Sequence, residues 1–291
     1  MTHQNLSMKT SESLCLAALL LAAAAPASAH RLEKHFPVQG RPIVTVSAMA
    51  SGRIEVKSWK NPEVVVIGNH ASKKVEIDSE QVNDRIEILT NVVDKTAAQS
   101  ELETNFDITV PEETELQMRT EAGTIYVERV YGDMTFETVS GDVHLKETSG
   151  YVIIKTVGGS VLCLQCAGKL NFSSISGNIQ ILQPQLSTLD VSTTSGNILY
   201  DGQFLSHGIY RMKTGTGWLE VRFSDSDSFD LRATTDHGTV DNQAQAFLKP
   251  DTHGLRYLPR SARRILGTLN AGLARVELSS FSGTIRIRKR D

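Results

Sequence analysis

From Gly123 onward, apolar and polar side chains alternate on a schedule marked by glycine. Gly123, Gly132, Gly141, Gly150, Gly159, Gly168 and Gly177 stand nine residues apart without a break. Gly196, Gly217 and Gly238 follow at intervals of 19, 21 and 21, and Gly283 closes the series. Two residues after each glycine comes Ile125, Met134, Val143, Val152, Val161, Leu170, Ile179, Ile198, Leu219, Val240 or Ile285. Four after it comes Val127, Phe136, Leu145, Ile154, Cys163, Phe172, Ile181, Tyr200, Val221 or Ile287, with Asn242 the one polar exception. The positions between are mostly polar. Period-two alternation puts one face of a short strand inward and the other outward. A nine-residue unit cannot bury its apolar face alone, but stacked units can, so the pattern predicts a solenoid. The longer later intervals suggest a coil of roughly 18 to 21 residues holding two strands.

The fold class expected is therefore all-β: a β-solenoid, β-helix-like stack of short strands with glycine-initiated nonamer repeats. Each glycine sits between strands, where the chain turns and often needs positive φ. Asp, Asn, Thr or Ser usually follows it, which is turn chemistry. Position +7 is again often apolar (Val130, Val139, Val157, Cys166, Ile175), and is read as an inward residue after a corner. Before Gly123 the pattern loosens. Val64–Ile67, Val75–Ile77, Ile86–Ile88 and Phe106–Val110 read as ordinary strands, and Ser51-Gly52-Arg53-Ile54-Glu55-Val56 as an early copy of the glycine unit. The expected organisation is residues 1–29 as a signal peptide, 30–120 as an N-terminal β region capping one end, and 121–291 as the repeat region. Residues 244–269, with Pro250 and Pro259, are expected to interrupt the repeats as a loop insertion.

The signal peptide reading rests on Lys9, an apolar run from Leu14 to Ala25, and Ala27-Ser28-Ala29 before His30. The run is too short to span a bilayer comfortably, and no transmembrane span is expected in the mature chain. A formal net charge of −3 gives no reason to expect nucleic acid or an anionic membrane as partner. Export sets an oxidising context for Cys163-Leu164-Gln165-Cys166. A redox pair wants a helix N-terminus, and a zinc site wants further ligands, whereas His144 falls at an outward position. Cys163 and Cys166 occupy slots that aliphatics fill elsewhere, so core thiols or a local disulfide are expected.

No catalytic motif is present: no HExxH, no G-x-S-x-G and no phosphate loop. Asp133 and Asp142 follow consecutive repeat glycines and raise the idea of a polysaccharide-acting enzyme. Sister repeats carry Asn178 and Asn197 in the same slot, which favours turn capping. No catalytic residue, cofactor or metal is assigned. Ile153, Leu162, Leu164 and Leu199 should point outward. They either stack into an exposed apolar stripe that marks a partner site or lie beneath the N-terminal region or the 244–269 segment.

Taken in order, several motifs resemble the bacterial "putative adhesin" family, an exported domain of unknown function built of β-strand repeats. They are Glu33-x-x-Phe36-x-Val38; Ser51–Val56; Trp59; Val64-x-Val66; Phe106-Asp107-Ile108-Thr109-Val110-Pro111; the Ser-Gly-Asp-Val type repeats; and Ala274–Leu278 followed by Ser282–Ile287. The resemblance spans nearly all of the mature chain, and the CxxC departs from its pattern. It implies an exported, non-enzymatic protein of the periplasm or cell surface that presents a β-solenoid to an envelope or surface protein or glycan. The alternatives are a periplasmic scaffold or envelope-stress sensing partner and, behind it, a polysaccharide-acting β-helix enzyme. The family brings no catalytic residues with it.

Overall fold

The computed structural model describes residues 30–48, 51–70, 72–243, 248–250 and 261–290. The expected signal peptide and part of the expected loop insertion lie outside these residues. Two thirteen-stranded sheets face each other across one continuous core. The first sheet runs, in spatial order, His30–Pro37, Glu63–His70, Thr104–Pro111, Arg53–Trp59, Thr124–Glu128, Asp142–Lys146, Val161–Leu164, Ile179–Leu182, Ile198–Asp201, Trp218–Phe223, Thr284–Lys289, Thr239–Asn242 and Ser261–Ala262. The second runs Val75–Val82, Arg85–Val92, Ile43–Ala48, Glu115–Thr120, Met134–Thr138, Ser149–Thr156, Ala167–Ser174, Gln185–Thr193, Ile209–Thr214, Ala274–Ser280, Phe229–Thr235, Arg264–Leu269 and Lys249–Pro250.

Each coil contributes one strand to each sheet, and successive coils pair in parallel. The glycine +2 residues form unbroken ladders, Ile125–Val143–Val161–Ile179–Ile198 on the first sheet and Met134–Val152–Leu170 on the second. Nearly all of these side chains are fully buried. Asn242 is buried as well and ends one ladder beside Ile287. The later, longer coils hold larger side chains. Tyr200, Phe204, Tyr210 and Phe229 pack ring against ring at 4.8–5.7 Å. The two phenols donate to the carbonyls of Gln203 and Leu186 at 2.6 Å, so neither leaves a polar atom stranded in the core.

The true repeat is eighteen residues, and the nonamer is half of it. Alternate glycines therefore lie at different corners. Gly52, Gly123, Gly141, Gly159, Gly177, Gly196, Gly217, Gly283 and Gly238 form one column, in which each backbone nestles against the next. A Cβ on Gly159 would overlap the carbonyl oxygen of Gly141, and one on Gly177 that of Gly159. Close approach is thus the main demand here. Positive φ adds to it at a minority of positions, such as Gly123 and Gly217, both at 99°. Gly132, Gly150 and Gly168 form a second, shorter column at the other corner.

This difference corrects the reading of position +7. Val130 and Cys166 are buried, but Val139, Val157 and Ile175 are 52%, 45% and 55% exposed. At the first corner the chain turns through Arg129, Glu147, Gln165 and Gln183, each with φ between 50° and 56°, and the next residue points inward. At the second corner a buried hydroxyl makes the turn. Thr138, Thr156, Ser174, Thr193, Thr235 and Ser280 each accept the N–H of the glycine three residues on, at 2.7–3.1 Å. The residue after the hydroxyl is then forced outward.

Order along the chain is broken at both ends. The coil Ala274–Lys289 sits between the coils Ile209–Phe223 and Phe229–Asn242. Likewise Ile43–Trp59 lies inside the stack, between Glu115–Glu128 and the strands Arg85–Val92 and Thr104–Pro111. Residues before 121 therefore supply complete coils as well as an end cap. Antiparallel strands finish the N-terminal end, His30–Pro37 and Glu63–His70 on one sheet and Val75–Val82 on the other. The expected interruption at 244–269 is shorter than read, because Arg264–Leu269 is a full strand antiparallel to Phe229–Thr235.

Candidate interaction surface

Three of the four outward apolar residues come together. Leu162, Leu164 and Leu199 lie on the outer face of the first sheet, with Leu182 directly beside Leu164 and Gln180 between Leu162 and Leu199. All four leucines are half-buried while facing away from the core. Ile153 is on the second sheet, paired with Thr135 and Asn171, and is not part of this patch. The expected single stripe is therefore a four-leucine patch on one face and an isolated isoleucine on the other. Leu182 stands in the same slot as Leu164, five residues after its glycine, so the signal that marks Leu164 marks Leu182 as well.

Charged ladders border the patch on both sides. Toward the N-terminal end, Lys146 pairs with Glu128 at 2.8 Å, next to the Tyr126–His144 row. The hydrogen bond from Lys146 holds the Glu128 carboxyl below its ordinary range, and the carboxylate raises Lys146 in return. Toward the C-terminal end, the largely buried Glu220 takes Arg222 at 2.7 Å and Arg286 at 3.7 Å. Arg286 also lies over the Trp218 ring at 5.4 Å. An apolar centre with a charged rim is the usual anatomy of a protein-binding patch.

A second apolar feature follows from the exposed corner. Val139, Val157 and Ile175 stack on successive coils, linked by backbone bonds from Ser176 to Val157 and from Ser195 to Ile175. Beside Val139 and Val157 runs a shallow groove whose other wall is Arg119, Glu137 and Lys155. The sequence signal for this corner was the Thr/Ser three residues before alternate glycines, as in Thr138-Val139-Ser140-Gly141.

The other candidates are structural in place. Cys163 and Cys166 are joined as a disulfide with Cα atoms 5.9 Å apart, and both are buried. Asp133 accepts the N–H of Tyr151 at 3.1 Å, and Asp142 that of Ser160 at 2.7 Å, each tying its coil to the next. Asn178 and Asn197 do the same for Asn197 and Trp218. Asp133 precedes a strand of the second sheet and Asp142 opens a strand of the first, so the two carboxylates do not converge on a substrate. Among the described residues, no group of three His, Cys, Asp or Glu could hold a metal ion. No helix of the described chain is long and apolar enough to cross a membrane.

The chain is similar to one family and to several solved structures. No curated protein matches the chain. Among solved structures, a "putative adhesin" from Bacteroides fragilis covers 90% of this chain and 97% of its own, at 10% identity and a TM-score of 0.49. A "putative cell adhesion protein" from Clostridium sporogenes covers 90% and 100%, at 11% identity and a TM-score of 0.32. A "putative adhesin" from Parabacteroides distasonis covers 91% and 98%, at 7% identity and a TM-score of 0.27. The Toastrack DUF4097 family model matches residues 44–288, which takes in both displaced coils and the whole repeat stack, and the chain belongs to that family.

Proposed function

We propose that this protein is an exported, non-enzymatic interaction module of the bacterial cell envelope, which binds a protein or glycan through the outer face of its first sheet. The observation that carries the reading is the patch of Leu162, Leu164, Leu182 and Leu199, set between charged ladders on a rigid sheet. Inward positions are committed to the core, so recognition falls to the outward rows. A parallel stack holds those rows at fixed spacing, and little ordering entropy is lost on binding. Export is supported by the leader-like residues 1–29. Asp133 and Asp142, the carboxylates that follow repeat glycines, tie coils together.

The test is attachment of source cells to a host or envelope surface. A strain lacking the protein is complemented with wild type or with Leu162→Asp/Leu199→Asp, each checked for equal abundance. Restoration by wild type and failure of the leucine variant is the expected result. Equal restoration by both would remove the first sheet from the binding role.

A further inference from the structure

The outer face of the second sheet is charged unevenly along the stack. Counting strand residues alone, its N-terminal end carries Glu76, Asp78, Glu80, Glu87 and Glu115 against Arg85 and Arg119. Its C-terminal end carries Lys169, Arg211, Lys213, Arg232, Lys249, Arg264 and Arg275 against Asp190, Asp230 and Glu277. In the middle, Glu137 and Lys155 cancel as a pair at 3.2 Å. The face therefore has three net negative charges at one end and four net positive charges at the other. Several of these groups have no ionic partner of their own. Lys213, Arg232, Arg264 and Arg275 form no ion pair among the described residues, and neither do Glu76, Glu80 and Glu87. The strand order fixes the separation, since the acidic strands are the outermost at one end and the basic strands lie beyond the centre toward the other.

We propose that a second copy of this chain docks on this face in antiparallel fashion, the basic end of one copy over the acidic end of the other. A two-fold axis along the central strand Ala167–Ser174 achieves this. It brings the strand carrying Glu115 opposite the partner's Arg275, and the strand carrying Glu87 opposite the partner's Arg264. One such contact implies its mirror, so the charge complementarity is used twice. On the axis itself lie Lys169, Asn171 and Ser173, so the centre is polar, with Tyr151, 44% exposed, beside it. The area is sufficient. Thirteen strands at about 4.8 Å spacing make a face roughly 60 Å long. Three outward residues per strand make it roughly 15–20 Å wide, for about 1,000 Å² per copy. A stable interface needs about 800 Å² per partner. Pairing through the second sheet leaves both leucine patches free on opposite sides, so the dimer would be bivalent.

The experiment is sedimentation equilibrium of the mature chain at micromolar concentration, in low and in high salt, with two charge-reversal variants. One carries Arg232→Glu, Arg264→Glu and Arg275→Glu; the other carries Glu80→Lys, Glu87→Lys and Glu115→Lys. All six residues are on the surface, and unchanged circular dichroism confirms the fold. The expected result is a wild-type dimer that weakens at least tenfold in high salt. Each variant alone is monomeric, and an equimolar mixture of the two forms a heterodimer. A monomeric wild type, a dimer indifferent to both reversals, or no heterodimer from the mixture would each overturn the proposal. So would a monomer that is retained on a polyanion column and released by the basic-end reversal, because the face would then serve an acidic polymer.

Discussion

Gly158 and Gly159 are adjacent, yet the structure assigns them opposite sensitivities to the same methyl group. A Cβ on Gly158 would meet Ser176 Oγ at 3.6 Å and the Val139 carbonyl oxygen at 3.8 Å, which is ordinary contact. A Cβ on Gly159 would overlap the carbonyl oxygen of Gly141 and stand 2.7 Å from its carbon and 3.0 Å from Thr156 Oγ1. The atoms in the way are backbone of the neighbouring coil, and the coil spacing is fixed by parallel pairing on both sides. Relief requires the coils to part locally, which also weakens the 2.9 Å bond from the Gly159 N–H to Thr156. Overpacking of this kind costs about 1–3 kcal/mol, and a compromised buried hydrogen bond about 1 kcal/mol more. Gly159→Ala should therefore destabilise by about 2–4 kcal/mol, a fall in Tm of about 5–15 °C for a chain of this size. Gly158→Ala meets no obstacle and restricts the unfolded chain, so it should be neutral or raise stability by up to about 1 kcal/mol. Thermal and urea unfolding followed by circular dichroism read both. Equal effects of the two substitutions, or a harmless Gly159→Ala, would refute the stacked-glycine account.

Further expectations follow from other contacts. Thr138→Val keeps the side chain's shape but leaves the Gly141 N–H without its acceptor, and should cost about 1–3 kcal/mol; Thr135→Val, on the outer face, should change urea midpoints little. Glu128 has its pKa lowered by Lys146, so its contribution is complete above the ordinary carboxylate pKa and is lost as pH falls through the folded value. Lys146→Met should thus flatten the decline of stability on the acid side of about pH 4.5, as read by urea titrations at several pH values. Reducing the Cys163–Cys166 bond opens only a four-residue loop and should cost about 2 kcal/mol, measurable as a lower Tm with reductant and no change in a Cys163→Ala/Cys166→Val variant. Truncation after residue 270 removes the coil between Ile209–Phe223 and Phe229–Asn242, so hydrogen exchange should show protection lost across 229–242 as well.

What could be read from the sequence follows from what is local. Alternation around each glycine reports directly on which side chains enter the core, and Ile125, Val143 and Val161 stand where the pattern puts them. The nine-residue spacing was harder to interpret, because a nonamer repeat is silent about two unlike corners. Val139 and Val130 look equivalent in sequence but are separated by the turn that precedes each, one through a buried hydroxyl and one through a left-handed residue. The coil order was not legible. Gly238 follows Gly217 by 21 residues, as a sequential stack would have it, yet Gly283 lies between them. Nothing local records that choice, which depends on pairing between distant segments. The leucine patch was partly legible: outward orientation follows from alternation, but membership depends on which sheet a residue joins, and so Ile153 was grouped wrongly.

The central claim is that this stack is displayed at the cell surface as a face for binding. Its most direct test is protease shaving of intact source cells beside a lysed control, with an immunoblot for the protein and the mature N-terminus determined by mass spectrometry. The account predicts a chain beginning at His30 that intact cells expose to protease. A band protected until the outer membrane is opened, or a chain that retains residues 1–29, would contradict it.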